Sequence, residues 1–250
     1  MKKIKYLSIL WKHKKINICY HKNYYTYNLA QNFFHTNKNN IDSNNNNNGN
    51  NLGDKNKVKH VRCPKCNSNI NTDTVSFICQ VCKALFNIDI FRNYNIFELF
   101  NIEANYDIDK SHLKKKFNEI QNIYHPDKNA QNVEVDEINE VSSYINNAYR
   151  TLSNDVERAL YLLKIKYNYM ISEDECMDDD EFLSEIIKIN VEISKPDTNI
   201  ELLTREYKQK YEDYSKEIKL HFQEKNFNNI LNVLKKLKFI NRVLERLQNI

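Results

Sequence analysis

Four of the six cysteines in this 250-residue chain are spaced for metal chemistry. Cys63-Pro64-Lys65-Cys66 and Cys79-Gln80-Val81-Cys82 stand twelve residues apart. Each pair presents two thiolates across a tight knuckle, and two knuckles can close a tetrahedral four-sulfur cage. A structural zinc is the expected occupant, with a rubredoxin-like iron or a redox pair of disulfides as alternatives. No fifth ligand candidate adjoins the four, so the cage is expected to stabilise a fold and to do no catalysis. Cys19 and Cys176 stand apart from the cluster, which is not how a secreted disulfide scaffold spaces its cysteines.

The second chemistry-bearing stretch is Tyr124-His125-Pro126-Asp127-Lys128. Pro126 lacks an N–H donor and its ring clashes with a preceding helical turn, and it pushes His125 out of helical dihedrals as well. A helix must therefore end here and another begin, leaving His125 and Asp127 on an exposed connection suited to binding. Taken alone, the tripeptide reads more readily as an ordinary polar loop, so the flanks must decide.

The elements that position it are legible on both sides. Residues 109–124 carry Leu113, Phe117, Ile120 and Tyr124 on one helical stripe behind an Asp109 cap, with Lys110, Lys114, Lys115 and Lys116 off it. Residues 135–152 carry Ile138, Val141, Ile145, Ala148, Tyr149 and Leu152 at the same period. Two helices joined by about ten residues should pair as an antiparallel hairpin. A short helix is expected over residues 95–100, with Phe97 and Phe100 on one side. Between the knuckles, residues 67–78 are expected to form a hairpin whose second arm holds Val75, Phe77 and Ile78.

Two Gly, three Pro and strong helical periodicity after residue 95 predict a mainly α protein with short connections. At 41% apolar residues the chain can bury real cores, although a mean hydropathy of −0.74 leaves much of it solvated. Residues 1–40 hold eight Lys and no acid, which resembles an organelle-targeting presequence, with a disordered basic tail as the alternative. The Asn-rich residues 41–60 cannot bury apolar area and read as a disordered spacer. No apolar run approaches the roughly 18–20 residues that a membrane-spanning helix needs.

Three further helices are expected after residue 177. In the first, Phe182, Ile186, Ile189 and Ile193 form one stripe, and Leu183, Ile187 and Val191 a second, offset by roughly 120–140°. The next carries Leu203, Tyr207, Tyr211, Tyr214, Ile218 and Phe222, and the last Ile230, Leu234, Leu237, Leu244 and Leu247. Phe239 falls about 140° or more from the centre of that last stripe and is expected to be exposed. The spare stripe and Phe239 suit either an apolar docking site or a thicker core.

The short first helix, the Lys-bearing helix, His125-Pro126-Asp127 and a helix ending Asn147-Ala148-Tyr149-Arg150-Thr151-Leu152 resemble a J-domain. Arg158-Ala159-Leu160-Tyr161-Leu162-Leu163 and Phe182-Leu183-Ser184-Glu185-Ile186-Ile187-Lys188-Ile189-Asn190 narrow the resemblance. With the four-cysteine module in front, residues 61–250 resemble the HscB family of iron–sulfur co-chaperones in its zinc-bearing, metazoan-like form. The implied fold is a four-cysteine zinc module over residues 61–90, a helical J-domain over 93–166 and a three-helix bundle over 177–250.

The resemblance implies a co-chaperone that binds a DnaK-type heat-shock chaperone through His125, Pro126, Asp127, Lys114, Lys115 and Lys116 and stimulates its ATP hydrolysis. It implies an iron–sulfur scaffold protein (IscU-like) bound through Leu183, Ser184, Ile187 and Phe239, with weak self-association. Ser184 stands where the family carries a larger apolar residue, and Lys188 where it tends to carry an acid. Cys63, Cys66, Cys79 and Cys82 would hold the zinc. The implied location is the mitochondrial matrix, another organelle or the cytosol being alternatives. No catalytic residues are expected: the chain has no Gly-rich phosphate loop and should not itself split ATP. A zinc-ribbon nucleic-acid-binding protein is the competing reading, and a general J-protein with another client is a third. Against nucleic acid stands the sparse basic content around the knuckles, where Phe77 is the sole intervening aromatic.

Overall fold

The computed structural model describes residues 61–71, 73–125, 135–171 and 177–250. The expected presequence and Asn-rich spacer, and Pro126, Asp127 and Cys176, lie outside the described residues. Two compact units are formed: among the described residues one is 61–158 and the other Ala159–Ile250.

The first unit begins with two knuckles built alike. In one, Asn67 N–H donates to the Cys63 carbonyl (2.9 Å) and Cys63 N–H to the Ser68 carbonyl (2.9 Å). In the other, Lys83 N–H donates to Cys79 (3.0 Å) and Cys79 N–H to Ala84 (2.9 Å). Each knuckle closes through a left-handed residue, Asn67 at φ 58° and Lys83 at φ 59°. Asn tolerates that conformation, whereas Lys carries a steric cost that the surrounding bonds must offset.

Strands β1 (Val61–Arg62) and β2 (Asn69–Ile70) pair antiparallel around the first knuckle, and Ile78 bridges Leu85 around the second. The single hairpin expected across residues 67–78 is therefore absent. Each knuckle instead carries its own ribbon, because its tight turn sends the chain straight back beside itself. Phe77 and Ile78 belong to the second ribbon, and Val75 precedes it.

Short helices α1 (Ile88–Phe91) and α2 (Ile96–Leu99) follow. The first was not legible from periodicity, being four residues long. The second starts on a capping box: the Asn95 carboxamide accepts from the N–H groups of Phe97 and Glu98, and the Glu98 carboxylate accepts from Asn95 N–H at 2.7 Å. Asp109 caps α3 (Lys110–Ile123) by accepting from Ser111 and His112 N–H at 2.8 and 3.0 Å.

α4 (Val135–Ser153) packs against α1, α2 and α3 and is the hub of this unit. Its buried residues Ile138, Val141, Ile145, Ala148 and Leu152 are the stripe the sequence marks. Phe86, Phe91, Phe97, Phe100 and Leu113 complete the core. Phe117 and Tyr149, both half-buried, stack across the hairpin with ring centroids 4.2 Å apart. Asn154 caps α5 (Asp155–Tyr167) by accepting from Val156 and Glu157 N–H.

The second unit holds α6 (Asp180–Glu192), α7 (Ile200–Glu224) and α8 (Phe227–Gln248). α7 ends on Lys225 at φ 57°, with Asn226 N–H donating to the His221 carbonyl at 3.0 Å. That left-handed closure turns the chain directly into α8, so the two long helices form a hairpin. α8 packs along α7 and also meets α6. Phe182, Ile186, Ile189, Ile193, Tyr207, Ile240, Val243, Leu244 and Leu247 share one core.

Phe239 lies in that core as well, 7% exposed, which corrects the expectation of an exposed aromatic. A helix flanked by two neighbours buries a wider arc than a single stripe. The side of α8 that looked spare is the side covered by α6.

Candidate functional site

The four cysteine sulfurs lie within 4.8 Å of one another. Cys63 and Cys82 sulfurs are 3.7 Å apart, as are those of Cys66 and Cys79. A tetrahedron with metal–sulfur bonds of about 2.3 Å has edges of about 3.8 Å, so the spacing is that of a tetrathiolate cage. The donor chemistry agrees. A hydrogen bond from the Ser68 hydroxyl, with support from backbone N–H groups, draws the Cys79 thiol down to about 6, and the same hydroxyl lowers Cys66. Cys82 is lowered by a backbone bond at Ala84, but burial and its three sulfur neighbours outweigh that and push it up to about 11. Four thiolates packed this closely need a cation at their centre, and the residues fit a metal ion.

The module does not stand alone. Tyr124, the residue that caps α3, is 3% exposed and its hydroxyl lies 2.8 Å from the Phe86 carbonyl and 3.2 Å from that of Phe77. Both acceptors belong to the ribbon behind the second knuckle. The Tyr124 ring also meets Phe77 and Phe91 edge-on, each at 6.2 Å between centroids. Burial pushes the phenol far above its usual range, so the hydroxyl keeps its proton and donates. A second tie sits upstream. The Asn101 carboxamide accepts from Val75 N–H at 3.0 Å and donates to its carbonyl at 3.4 Å, held in place by a left-handed backbone at φ 51°.

His125 follows Tyr124 directly and is exposed. It lines an open hollow of about 280 Å³ together with Gln121, Asn122, Tyr124, Asn139 and Ser142. The floor between the helices is polar and ordered. Ser142 Oγ donates to the Gln121 side-chain oxygen at 2.9 Å, and Gln121 Nε2 donates to Asn146 Oδ1 at 3.1 Å. Lys114 and Lys115 are exposed on the outer face of α3, and Lys116 is half-buried and paired with Glu119 at 3.2 Å. The structure thus brings His125 and the lysines onto the same helix and its end.

Arg158 is the one charged residue buried in the described part of the chain, at 3% exposure. Its guanidinium donates to the Tyr106 carbonyl (2.7 Å), the Leu152 carbonyl (2.6 Å) and Asp155 Oδ1 (2.5 Å), and it lies over the Tyr106 ring at 4.9 Å. Lys110 reaches the same carboxylate at 2.8 Å. The end of α4 and the start of α5 are therefore locked through Arg158, and the start of α3 joins them through Asp155. Burial alone would raise the Asp155 carboxyl, but hydrogen bonds from Lys110 and Arg158 hold it below the usual range.

On the second unit, α6 turns Phe182, Ile186 and Ile189 inward. Leu183 is half-buried against the core, while Ser184, Ile187 and Lys188 line the outer side, all three exposed, and Val191 is exposed beyond them. The second stripe is thus an outward apolar edge, with Ile187 42% and Val191 58% exposed. Polar ties fix the helix from both neighbours: Lys236 with Asp179 (2.7 Å), Lys210 with Glu185, and Arg246 with Asn190 (2.7 Å) and Ser194 (3.0 Å). Phe239 is brought to α6, but beneath it and not beside Ile187 on the surface.

Sequence reasoning missed three positioning residues. Tyr124 read as one more stripe residue, although its place at the cap two residues before Pro126 was a signal. Asn101 carried none, since a lone Asn reveals neither its dihedrals nor its partner. Arg158 was noticed only as part of a resemblance.

Comparison with known proteins supplies a context for these features. The DnaJ domain family matches residues 95–161, and the HSCB C-terminal oligomerisation domain matches residues 178–248. The "Co-chaperone protein HscB homolog" of Acinetobacter baylyi is 33% identical over 153 residues, covering 60% of this chain and 86% of that protein. The "Iron-sulfur cluster co-chaperone protein HscB" of Mus musculus is 26% identical over 176 residues, covering 69% of this chain and 74% of that protein. Among solved structures, human co-chaperone protein HscB superposes with a TM-score of 0.67 at 23% identity, covering 76% of this chain and 98% of that one.

Proposed function

Because this chain belongs to the HscB family of J-domain co-chaperones, we propose that it delivers an iron–sulfur scaffold protein to a DnaK-type chaperone and triggers that chaperone's ATP hydrolysis. One observation carries the reading. A J-domain match and an HscB C-terminal match occupy one chain in that order, and the lysine-faced helix of the first leads into His125.

The trigger is binding chemistry. Lys114 and Lys115 attract an acidic face of the chaperone, and His125, Pro126 and Asp127 engage it. They favour the chaperone conformation that hydrolyses ATP, so the reaction speeds up in a site this chain does not own. The bundle holds the client through Leu183, Ser184 and Ile187, and one chain carrying both functions raises the client's effective concentration at the chaperone. Phe239 contributes by supporting α6 from beneath. Cys63, Cys66, Cys79 and Cys82 hold zinc, which ties the two knuckles into one body. The basic, acid-free residues 1–40 direct the chain to the mitochondrial matrix.

A single-turnover ATPase assay with the cognate chaperone tests the trigger. His125→Gln and Asp127→Asn should each abolish stimulation while scaffold capture persists, and undiminished stimulation by either would overturn the reading.

A further inference from the structure

The four-cysteine module and the end of α3 that leads into His125 meet at one side chain, Tyr124. Tyr124 ends α3 with its N–H bonded to the Ile120 carbonyl at 3.2 Å, and the chain leaves the helix at His125. Its hydroxyl is held by carbonyls of the second knuckle's ribbon, Phe77 and Phe86. The Phe77 carbonyl simultaneously accepts the Phe86 N–H at 3.1 Å, so the acceptor pair exists only while that ribbon is closed. Phe77 lies two residues before Cys79, and Phe86 four after Cys82.

Within the module little else maintains that closure. Its regular structure amounts to two strands of two residues and one bridge. A body this small depends on its metal for folding, so loss of the ion should open both ribbons. The Tyr124 hydroxyl would then be buried with no acceptor, a state costly enough to displace the side chain. Displacing it moves the end of α3, from which His125 departs.

We infer that Tyr124 is a positioning residue that makes the placement of His125 metal-dependent: it aligns His125 only while the four-cysteine module is closed around its ion. The inference rests on the zinc and trigger readings above. Its consequence is that metal-depleted protein keeps its bundle and its Lys face yet stimulates the chaperone poorly.

The experiment uses the full chain, wild type and Tyr124→Phe, each zinc-loaded and after chelation, with amide hydrogen exchange and chaperone ATPase stimulation both read. Phe keeps the ring and its contacts with Phe77 and Phe91 and deletes only the hydroxyl. In the wild type, chelation should raise exchange at residues 121–125 by about tenfold, with a comparable fall in stimulation. Zinc-loaded Tyr124→Phe should already show most of both changes, and chelation should add less than about twofold there. The inference fails if chelation opens residues 75–86 and leaves 121–125 protected, if Tyr124→Phe responds to chelation as the wild type does, or if the chain takes up no zinc. Should the zinc-loaded wild type fail to stimulate any DnaK-type chaperone, the trigger reading falls, and the exchange pattern alone still decides the coupling.

Discussion

The Phe239 ring stands edge-on to Phe182 in the bundle core, with centroids 6.1 Å apart and planes 70° apart. Tyr214 approaches Phe182 edge-on at 6.3 Å, so α6 rests on an aromatic cluster supplied by α7 and α8. Phe239→Ala should therefore cost the bundle about 3 kcal/mol through the cavity it leaves. It is a poor probe of docking, because lost binding would accompany lost structure. Ile187→Asp changes an exposed edge and should move stability by no more than about 0.5 kcal/mol. It should nevertheless weaken scaffold binding by about tenfold or more, as measured by calorimetry beside a thermal melt. Unchanged scaffold affinity in Ile187→Asp would remove α6 from the interface.

The electrostatic steering proposed for the lysine face has a salt signature. Replacing Lys114 and Lys115 by Glu should slow chaperone association by about tenfold at low salt and far less near about 1 M, where screening leaves little for the charges to do. Stopped-flow association rates across a salt series measure this. A salt-independent defect would mean that these lysines make specific contacts or none.

Arg158 supplies three hydrogen bonds from a buried position. Arg158→Met should lower the unfolding free energy by roughly 3 kcal/mol, because the Asp155 carboxylate and two carbonyls lose their partner in low dielectric. A denaturation midpoint equal to that of the wild type would show that water replaces the guanidinium freely.

The same cluster predicts an acid limb. Asp155 has a folded pKa depressed by Lys110 and Arg158 below its unfolded value of about 3.9. Its ionised form contributes stability above about pH 4, and that contribution disappears as the pH falls through the folded value. Melting temperatures from about pH 7 down to about pH 2 should fall less steeply in Asp155→Asn than in the wild type, from a lower starting point. Parallel curves would assign the acid limb to other carboxylates.

The metal cage can be tested without the chaperone. Native mass spectrometry should find one metal ion per chain, lost in Cys63→Ser and Cys79→Ser and retained in Cys19→Ser and Cys176→Ser. Retention in the Cys79→Ser variant would contradict a four-sulfur cage built from these residues.

Most helices could be read from the sequence because their signals are local. Asp109 and Asn95 are caps that act within one turn, and Leu113, Ile120, Ile138, Ile145 and Leu152 repeat at a period set by helix geometry alone. The Cys63–Cys66 and Cys79–Cys82 pairs were equally plain, since two thiolates on a knuckle need only a fixed spacing. Where partners are distant in the chain, the pattern was silent. Phe239 looked exposed because periodicity counts one buried face, and only the approach of α6 shows that α8 has two neighbours. Tyr124 looked like core because its stripe position says nothing of where its hydroxyl points; its acceptors, Phe77 and Phe86, lie 47 and 38 residues away. Local sequence thus determined most of the helices, the two knuckles and the end of α3 at Ile123, ahead of Pro126. Tertiary packing alone decided that the four-cysteine module and the end of α3 share the Tyr124 side chain, because a hydrogen bond between remote segments exists only once the core has brought them together.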